Sequence, residues 1–349
     1  ARMGFAISII WWSVGAISHA FAVGVKSMGL SRIILGLGEG GNFPASIKTV
    51  TNWFTSGERV FATTLFNSGA NVGALVAPAT IPFIAAAWGW QSAFIAAGVL
   101  GFIWVAFWLR MPKEPRVKLA EESSALARAE KEEARESIPW RKLLTYRQAW
   151  SLIIVRFLTD PIWWFFLFWL PDFFNKHFGY NIKESALPLI VIYALVTVLS
   201  IIGGSLTKYL AGLGWSLNKV RKISMLIFAC CVLPVIFVQY FDMWTIVAVL
   251  GLAGGAHQAW SASVYTLGSD MFPKSDVASI TGLSGMAGQI GSVLFQTAVG
   301  FTLSHFVALG NPSHGYDIIF VVCGCAYLAA FIIFSLIVPK INMVESRES

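Results

Sequence analysis

The chain has 349 residues, of which 56% are apolar and only 12% are charged, and its mean hydropathy is +0.69. A soluble domain carries about a quarter charged residues, so this composition excludes a soluble binding module and predicts a polytopic membrane protein. The formal net charge of +7 invites a nucleic-acid interpretation, but the sequence contains no basic patch interleaved with aromatic residues that would favour RNA or DNA.

Ten runs of mostly apolar residues follow one another along the chain, each of about 18 residues or more and therefore long enough to cross a bilayer. Their approximate limits are 4–24, 30–52, 60–86, 91–110, 148–173, 185–209, 221–240, 243–268, 278–306 and 317–339. The predicted fold class is all-α, in a multi-pass membrane protein. Lysine and arginine concentrate on one side of the alternating spans, so the positive-inside rule places that side, and both ends of the chain, in the cytoplasm.

The only long polar stretch, at 111–147, separates four predicted spans from six. It divides the chain into a partial N-terminal helix bundle at 1–110, a charged cytoplasmic linker, and a C-terminal six-helix bundle with a tail at 148–349. Most of the linker is rich in Ala, Glu, Lys and Arg, which favours a solvated helix stabilised by charge pairs. Because the chain opens at Ala1 without Met, directly before a span, we expect it to be a fragment.

The four cysteines, Cys230, Cys231, Cys323 and Cys325, all lie inside apolar runs. None has the spacing with histidine that a zinc site needs, and none lies in an external loop, so the sequence predicts no metal site, no cofactor and no disulfide. The predicted spans carry no His/Asp/Glu cluster and no Ser/His/Asp arrangement that would indicate an enzyme.

The second predicted span carries a cation and an acid, Arg32 and Glu39, seven residues apart. Seven residues is close to two helical turns, so both side chains point to the same face, about 10 Å apart along the axis. Because burying either charge in lipid costs at least a few kcal/mol, the favoured setting is a wet cavity between helices, where a cation binds an anionic solute and an acid takes a proton. The alternatives are a snorkelling anchor for Arg32 and a helix–helix hydrogen bond for a protonated Glu39.

The third predicted span carries two asparagines, Asn67 and Asn71, which share a face at i,i+4 spacing. An asparagine amide offers both a donor and an acceptor, which suits the hydroxyl groups of a sugar. Asparagine near glycine also ties helices together, and the sequence favours neither interpretation.

The fifth predicted span opens with Arg156 and Asp160, an i,i+4 pair that precedes Pro161 and two tryptophans, Trp163 and Trp164. Proline removes a backbone donor and bends a helix. A kinked helix with an ion pair and stacked aromatic rings fits one wall of a sugar site, because the apolar faces of sugars lie well on tryptophan. The alternative is a structural salt bridge near the inner edge beside a lipid-facing aromatic band, and for Arg156 that alternative is favoured.

The eighth predicted span places His257 beside Gln258 near its middle, with Ser261 one turn after the histidine on the same face. Histidine titrates near physiological pH, so a role for His257 facing the cavity is favoured over simple packing. Gln289 in the ninth span is a weaker candidate, and His19 in the first span is interpreted as structural.

Two stretches resemble the major facilitator superfamily, in particular its anion:cation symporter branch. They are the run Arg-Ile-Ile-Leu-Gly-Leu-Gly-Glu-Gly-Gly-Asn-Phe-Pro at 32–44 and the run Gly-Gly-Ala-His-Gln at 254–258. Within the branch, the run Arg-Phe-Leu-Thr-Asp-Pro-Ile-Trp at 156–163 is most similar to hexuronate transporters, which import glucuronate and galacturonate. Lys219-Val-Arg221-Lys222 resembles a loosened copy of the superfamily's cytoplasmic gating loop.

The resemblance implies a two-bundle fold of the major facilitator type, with the visible spans matching family helices three to twelve and the first two absent. It implies a carrier in the cell inner (plasma) membrane that imports an organic anion, a hexuronate, by proton-coupled symport and alternating access, with Arg32 on the carboxylate and Glu39 in proton coupling. Ala70 stands where relatives often hold glutamine, which leaves the contact to an asparagine. The predicted substrate-binding residues are Arg32, Asn67, Asn71, Asp160, Trp163, Trp164, His257, Gln258 and Ser261.

Several alternatives stay open at this point. The substrate could be another carboxylate, such as an aldonate, tartrate or phthalate, and sodium could replace the proton. The chain could also be an inactive fragment of such a carrier. The predicted partners are a small carboxylate sugar acid, a proton and the lipid bilayer, without nucleic acid, and the carrier is expected to be a monomer.

Overall fold

The computed structural model describes residues 2–42, 45, 46, 49, 53, 72, 73, 76, 77, 79–111, 138–181 and 183–344, and within them every regular element is a helix. The predicted all-α class is thereby confirmed for this part of the chain. The chain divides into two compact units, Ala1–Glu132 (unit 1) and Glu133–Ser349 (unit 2). The predicted helix of the linker lies outside the described residues, and so does most of the predicted span 60–86.

The described part of unit 1 is built on four helices, of which the first packs against the second and the fourth. These are α1 (Arg2–Ser18), α2 (Val25–Glu39), α3 (Ala79–Trp88) and α4 (Trp90–Arg110). Gly89 separates α3 from α4 with a φ of +85°, a conformation that favours glycine. His19 lies in the short turn after α1, where it is fully buried, bonds the Gly15 carbonyl through Nδ1 at 2.7 Å and stacks on Phe94, which fits the structural role predicted for it.

Helices α1 and α2 cross at glycines that allow their backbones to approach closely. A Cβ on Gly38 would lie 2.5 Å from the backbone nitrogen of Trp12, and a Cβ on Gly15 would lie 2.6 Å from the Cα of Leu35. Small residues at such crossings give membrane helices the van der Waals contact that holds them together, since lipid supplies no hydrophobic drive between helices. This crossing fixes which face of α2 is turned toward α1.

Replacing Gly38 with alanine is expected to weaken the α1–α2 packing by about 1–3 kcal/mol, because the new methyl group meets backbone atoms that cannot move aside. The matched control is Gly36→Ala in the same helix, where a Cβ would have no heavy atom of the described residues within 4 Å. Thermal denaturation of the detergent-solubilised protein, followed by size-exclusion chromatography, should give a lower apparent Tm for Gly38→Ala alone. Equal Tm values for the two variants would contradict the close crossing.

Unit 2 is a helical bundle around one long helix, Arg147–Phe178, which contains Pro161 and Pro171. Its helices are α5 (Trp140–Leu143), α6 (Arg147–Phe178), α7 (Ala186–Gly212), α8 (Leu217–Val232), α9 (Met243–Met271), α10 (Lys274–Ala308) and α11 (Pro312–Ile337). Helix α6 packs against α10 and α11, and α9 packs against α7. The packing buries an aromatic cluster of Phe165, Phe173 and Phe320.

Seven described helices are long and apolar enough to cross a membrane, judged by length and composition. They are Arg2–Phe21, Trp90–Arg110, Arg147–Phe178, Ala186–Gly212, Leu217–Tyr240, Asp276–Ala308 and Ser313–Ile337. The first and fifth of these spans include the short 3-10 helices that continue α1 and α8, and the last two lie within α10 and α11. Each lies on a predicted span, within a few residues of its expected ends. Helix α9 coincides with the predicted span 243–268 but is not among the seven, because His257 and Gln258 lower the hydropathy of its apolar half.

Polar contacts hold the ends of the unit 2 helices. Arg221, in the predicted copy of the gating loop, forms an ion pair with Asp270 at the end of α9, with Nε and Oδ2 2.8 Å apart. At the other end of α9, Asp242 caps the helix. Its carboxylate accepts the Thr245 hydroxyl and the backbone N–H groups of Thr245 and Trp244, and these hydrogen bonds hold the pKa of the Asp242 carboxyl below its usual value.

Candidate functional site

Arg32 and Glu39 lie on one strip of α2, together with Gly36 between them, and all three residues are exposed on unit 1. We call this surface the α2 strip. Helix α2 turns Leu35 and Gly38 toward α1, so the strip flanks the packed face instead of forming part of it. Neither Arg32 nor Glu39 forms an ion pair with any residue that the structure describes. Within the described part of the chain, a cation and an acid without ion-pair partners therefore lie two turns apart on an exposed surface.

Unit 1 also contains a largely apolar cavity of about 510 Å³, which the α2 strip does not line. Its walls come from α1 and α4, with Trp12 and Trp104 among them, and from the segment that follows α2. That segment contributes the polar groups of Asn42, Ser46 and Thr49. The Ser46 hydroxyl is buried without a hydrogen-bond partner among the described residues.

In unit 2 the predicted ion pair of α6 is confirmed. Arg156 Nε lies 3.0 Å from Asp160 Oδ2, and each residue is only 8% exposed. Arg156 Nη2 also donates to the hydroxyl of Tyr265 on α9 at 3.0 Å, and the guanidinium carbon lies 4.5 Å from the centre of the Tyr265 ring. The cation thus has a carboxylate, a hydroxyl and an aromatic face as partners.

Helix α10 meets the ion pair with glycines. A Cβ on Gly288 would overlap the Asp160 carboxylate, and a Cβ on Gly285 would lie 3.6 Å from Arg156 Nη1. Another glycine, Gly291, approaches the Phe157 carbonyl, the acceptor that the proline at 161 leaves without its usual helical donor. The small residues of α10 therefore let it lie against the charged turn of α6.

His257 on α9 is only 5% exposed, because it packs against α6 and α11. Its ring stacks on Trp163 with centroids 5.4 Å apart and an interplanar angle of 4°. Its Nδ1 is 2.5 Å from the hydroxyl of Tyr327, which in turn donates to the Thr159 carbonyl at 3.3 Å. The tautomer of His257 sets which of Nδ1 and the Tyr327 hydroxyl donates to the other.

The structure brings some of the predicted site residues together and leaves others apart. Trp163 contacts His257, while Trp164 is half-buried and stacks on Phe168 with centroids 5.5 Å apart. Gln258 and Ser261 are half-buried on α9, and Gln289 is exposed on α10. Asn67, Asn71 and Ala70 lie outside the described residues.

Three residues of the unit 2 site were not predicted from the sequence: Tyr265, Tyr327 and Gln296. Tyr265 follows His257 by eight residues and so shares its face of α9, a signal that was available from spacing alone. Gln296 Oε1 accepts from Trp169 Nε1 at 2.7 Å and its Nε2 donates to the Pro161 carbonyl at 3.1 Å. One amide therefore ties α10 to two points of α6, on either side of Trp163 and Trp164.

Replacing Gln296 with leucine is expected to lower stability by about 1–3 kcal/mol, because the half-buried indole N–H of Trp169 loses its acceptor. Gln289→Leu on the same helix is the matched control, since that side chain is exposed and has no such contact. Apparent Tm in detergent should fall for Gln296→Leu and stay within error for Gln289→Leu. A Gln296→Leu protein as stable as the parent would mean that the amide bridge contributes nothing.

Membrane-length helices that bury an ion pair and a histidine with polar partners are typical of membrane transport proteins. The profile of the Major Facilitator Superfamily matches residues 1–296, and the chain belongs to this family. Membership confirms the family that the motifs indicated, and it makes the protein a transporter rather than an enzyme.

The relatives include sugar-acid carriers. Over 310 residues the chain is 31% identical to the hexuronate transporter of Escherichia coli K12, and the alignment covers 86% of this chain and 71% of that relative. Over 367 residues it is 24% identical to the probable galactarate/D-glucarate transporter of the same strain, covering 99% and 81%. A bacterial homologue of the human lysosomal transporter Spinster, in an inward-facing and occupied conformation, shares the fold with a TM-score of 0.72 at 14% identity, covering 96% of this chain and 82% of that chain.

Proposed function

We propose that the chain is a symporter that imports a hexuronate together with a proton by alternating access. The observation that carries the proposal is the α2 strip, where Arg32 and Glu39 are exposed two turns apart without an ion-pair partner in the described structure. Arg32 binds the substrate carboxylate through its planar fork of donors, and Glu39 carries the proton. The 31% identity to a hexuronate transporter supports the choice of substrate class.

The remaining predicted residues contact the sugar. We assign hydroxyl contacts to polar side chains and ring stacking to a tryptophan of α6. The hydroxyl contacts are Asn67, Asn71, Asp160, His257, Gln258 and Ser261, and the stacking residue is Trp163 or Trp164. His257 forms a mixed polar and aromatic cluster with Tyr327 and Trp163 in unit 2, and this cluster supports the assignment.

The carrier is further proposed to be a monomer in the cell inner membrane with both termini of this chain in the cytoplasm. Ten spans, matching family helices three to twelve, would then form a four-helix and a six-helix bundle on either side of the linker at 111–147. The even number of spans and the one-sided distribution of lysine and arginine support this arrangement.

A substrate screen tests the proposed function. The chain is reconstituted into proteoliposomes, and the external pH is recorded as single sugar acids are added in sodium-free buffer. Glucuronate and galacturonate should each raise the external pH, while neutral glucose should not. A pH change that appears only after sodium is added, or no response to any acid, would overturn proton-coupled hexuronate symport.

A second candidate substrate is an aldarate, a sugar acid with two carboxylates. The observation that favours it is the alignment to the probable galactarate/D-glucarate transporter, which extends over 99% of this chain. Competition decides between them, because unlabelled galactarate should inhibit labelled glucuronate counterflow less than unlabelled galacturonate does if the carrier prefers hexuronates.

A further inference from the structure

Unit 2 buries a second guanidinium whose hydrogen-bonding capacity is not used up. Arg156 Nε bonds Asp160 at 3.0 Å and Nη2 bonds Tyr265 at 3.0 Å, but Nη1 has no hydrogen-bond partner among the described residues. A guanidinium presents donors in a planar fork that matches both oxygens of a carboxylate. Asp160 engages only one nitrogen of that fork, so the pairing is looser than the geometry of an arginine–carboxylate pair allows.

The Nη1 side of the Arg156 guanidinium faces α10 at a glycine, which has no side chain. Gly285 on α10 stands beside Nη1, where even a methyl group would come within 3.6 Å, and Gly288 stands against the Asp160 carboxylate. The other groups that face the pair are Tyr265 and His257 from α9 and Tyr327 from α11. Within the part of the chain that the structure describes, no second acid is paired with Arg156, so Asp160 is its counterion.

A buried ion pair is a poor way to stabilise a bundle, because the desolvation of both charges offsets most of their attraction. Inside a membrane helix the cost is larger, and such groups mark solute or proton paths. The arginine keeps its charge at any working pH, whereas a carboxylate becomes neutral when it takes a proton. Protonation of Asp160 would therefore leave Arg156 with its charge and without its counterion.

We propose that Arg156 is a second anion-binding residue of the carrier and that Asp160 is its exchangeable internal counterion. When Asp160 takes a proton, the ion pair opens and the carboxylate of the transported anion binds the guanidinium in its place. The charge balances, since one proton and one carboxylate enter a site that loses one carboxylate charge. This inference rests on the proposed function and adds a second proton-linked step to it.

The proposal predicts in which direction the affinity for the anion changes with pH. Asp160 is protonated at low pH, so the apparent affinity for the anion should be high there and fall as pH rises. Because Glu39 carries a proton in the proposed mechanism, the test uses Glu39→Gln as the background. Apparent affinity for glucuronate is measured by counterflow in proteoliposomes at pH 6 and pH 8.

In the Glu39→Gln background, affinity should still fall between pH 6 and pH 8. Adding Asp160→Asn, which imitates the protonated acid, should remove this pH dependence and leave the affinity at pH 8 about tenfold higher than in the background. Unchanged pH dependence after Asp160→Asn would overturn the proposal. Absence of counterflow in the unaltered chain would instead overturn the proposed function, and this inference with it.

A second variant keeps the test decisive where Asp160→Asn does not fold. Gly285→Ala places a methyl group at ordinary contact distance from Nη1, so packing tolerates it while the free edge of the guanidinium is filled. It should lower glucuronate affinity about fivefold or more. The matched control is Gly282→Ala on the same helix, where a Cβ would have no neighbour within 4 Å in the part of the chain that the structure describes. Equal affinities for these two variants would contradict anion binding at Arg156.

Discussion

Replacing Arg32 with glutamine is expected to lower glucuronate uptake about 100-fold at substrate concentrations below KM. Glutamine retains a hydrogen-bond donor but loses the charge and the planar fork that hold a carboxylate. A charge-assisted hydrogen bond contributes about 1.5–3 kcal/mol, and each 1.4 kcal/mol corresponds to about a factor of ten. The measurement is the initial rate of labelled glucuronate counterflow in proteoliposomes, normalised to the amount of protein incorporated.

The matched control for Arg32 is Arg110→Gln. Arg110 is also an exposed arginine of unit 1, but it ends α4 and lies off the α2 strip. Its counterflow should stay within about fivefold of the parent, since an exposed charge of this kind contributes at most about 1 kcal/mol. Normal uptake by Arg32→Gln, or equal losses in both variants, would remove Arg32 from the site.

Replacing Glu39 with glutamine is expected to reduce the proton stoichiometry of transport by one while counterflow continues. Exchange of one labelled anion for another moves no net proton, so it does not need the acid. Accumulation does need it, because each coupled proton supports about a tenfold concentration ratio per pH unit. With the membrane potential clamped at zero and a gradient of one pH unit, the steady accumulation ratio should therefore fall about tenfold.

Glu184→Gln serves as the control for this experiment. Glu184 is an exposed acid in the turn before α7, where its carboxylate accepts the backbone N–H of Asn181. An amide oxygen accepts the same hydrogen bond, so the accumulation ratio should not change. If Glu39→Gln accumulates glucuronate as the parent does, the proton is carried elsewhere.

Local features of the fold were predictable from the sequence, because they depend only on residues a turn or two apart. The Arg156–Asp160 pair follows from i,i+4 spacing on a helix, and the structure contains it. The membrane-length helices follow from apolar run length. Helix α9 shows the limit of hydropathy, since His257 is buried by packing against Trp163 and Tyr327 in spite of its polarity.

Contacts between helices were not predictable, because they depend on the rotation of each helix about its axis. Gly36 and Gly38 are equivalent in sequence terms, yet only Gly38 lies at the crossing with α1. Gln289 and Gln296 both lie on α10, and only Gln289, which is exposed, was named from the sequence as a weaker candidate. Gln296 forms the hydrogen bonds to α6. These bonds were not predictable because their partners lie more than a hundred residues earlier in the chain.

The most direct test of the account asks whether the α2 strip lines a water path. In a cysteine-free background, Gly36→Cys places a thiol between Arg32 and Glu39, and Leu37→Cys places one on the same helix, exposed but turned about 100° away. A charged, membrane-impermeant thiol reagent should label Gly36→Cys, glucuronate should slow that labelling, and Leu37→Cys should stay unlabelled. If the reagent labels Leu37→Cys and does not label Gly36→Cys, the guanidinium and the acid face lipid, and this result would contradict the mechanism.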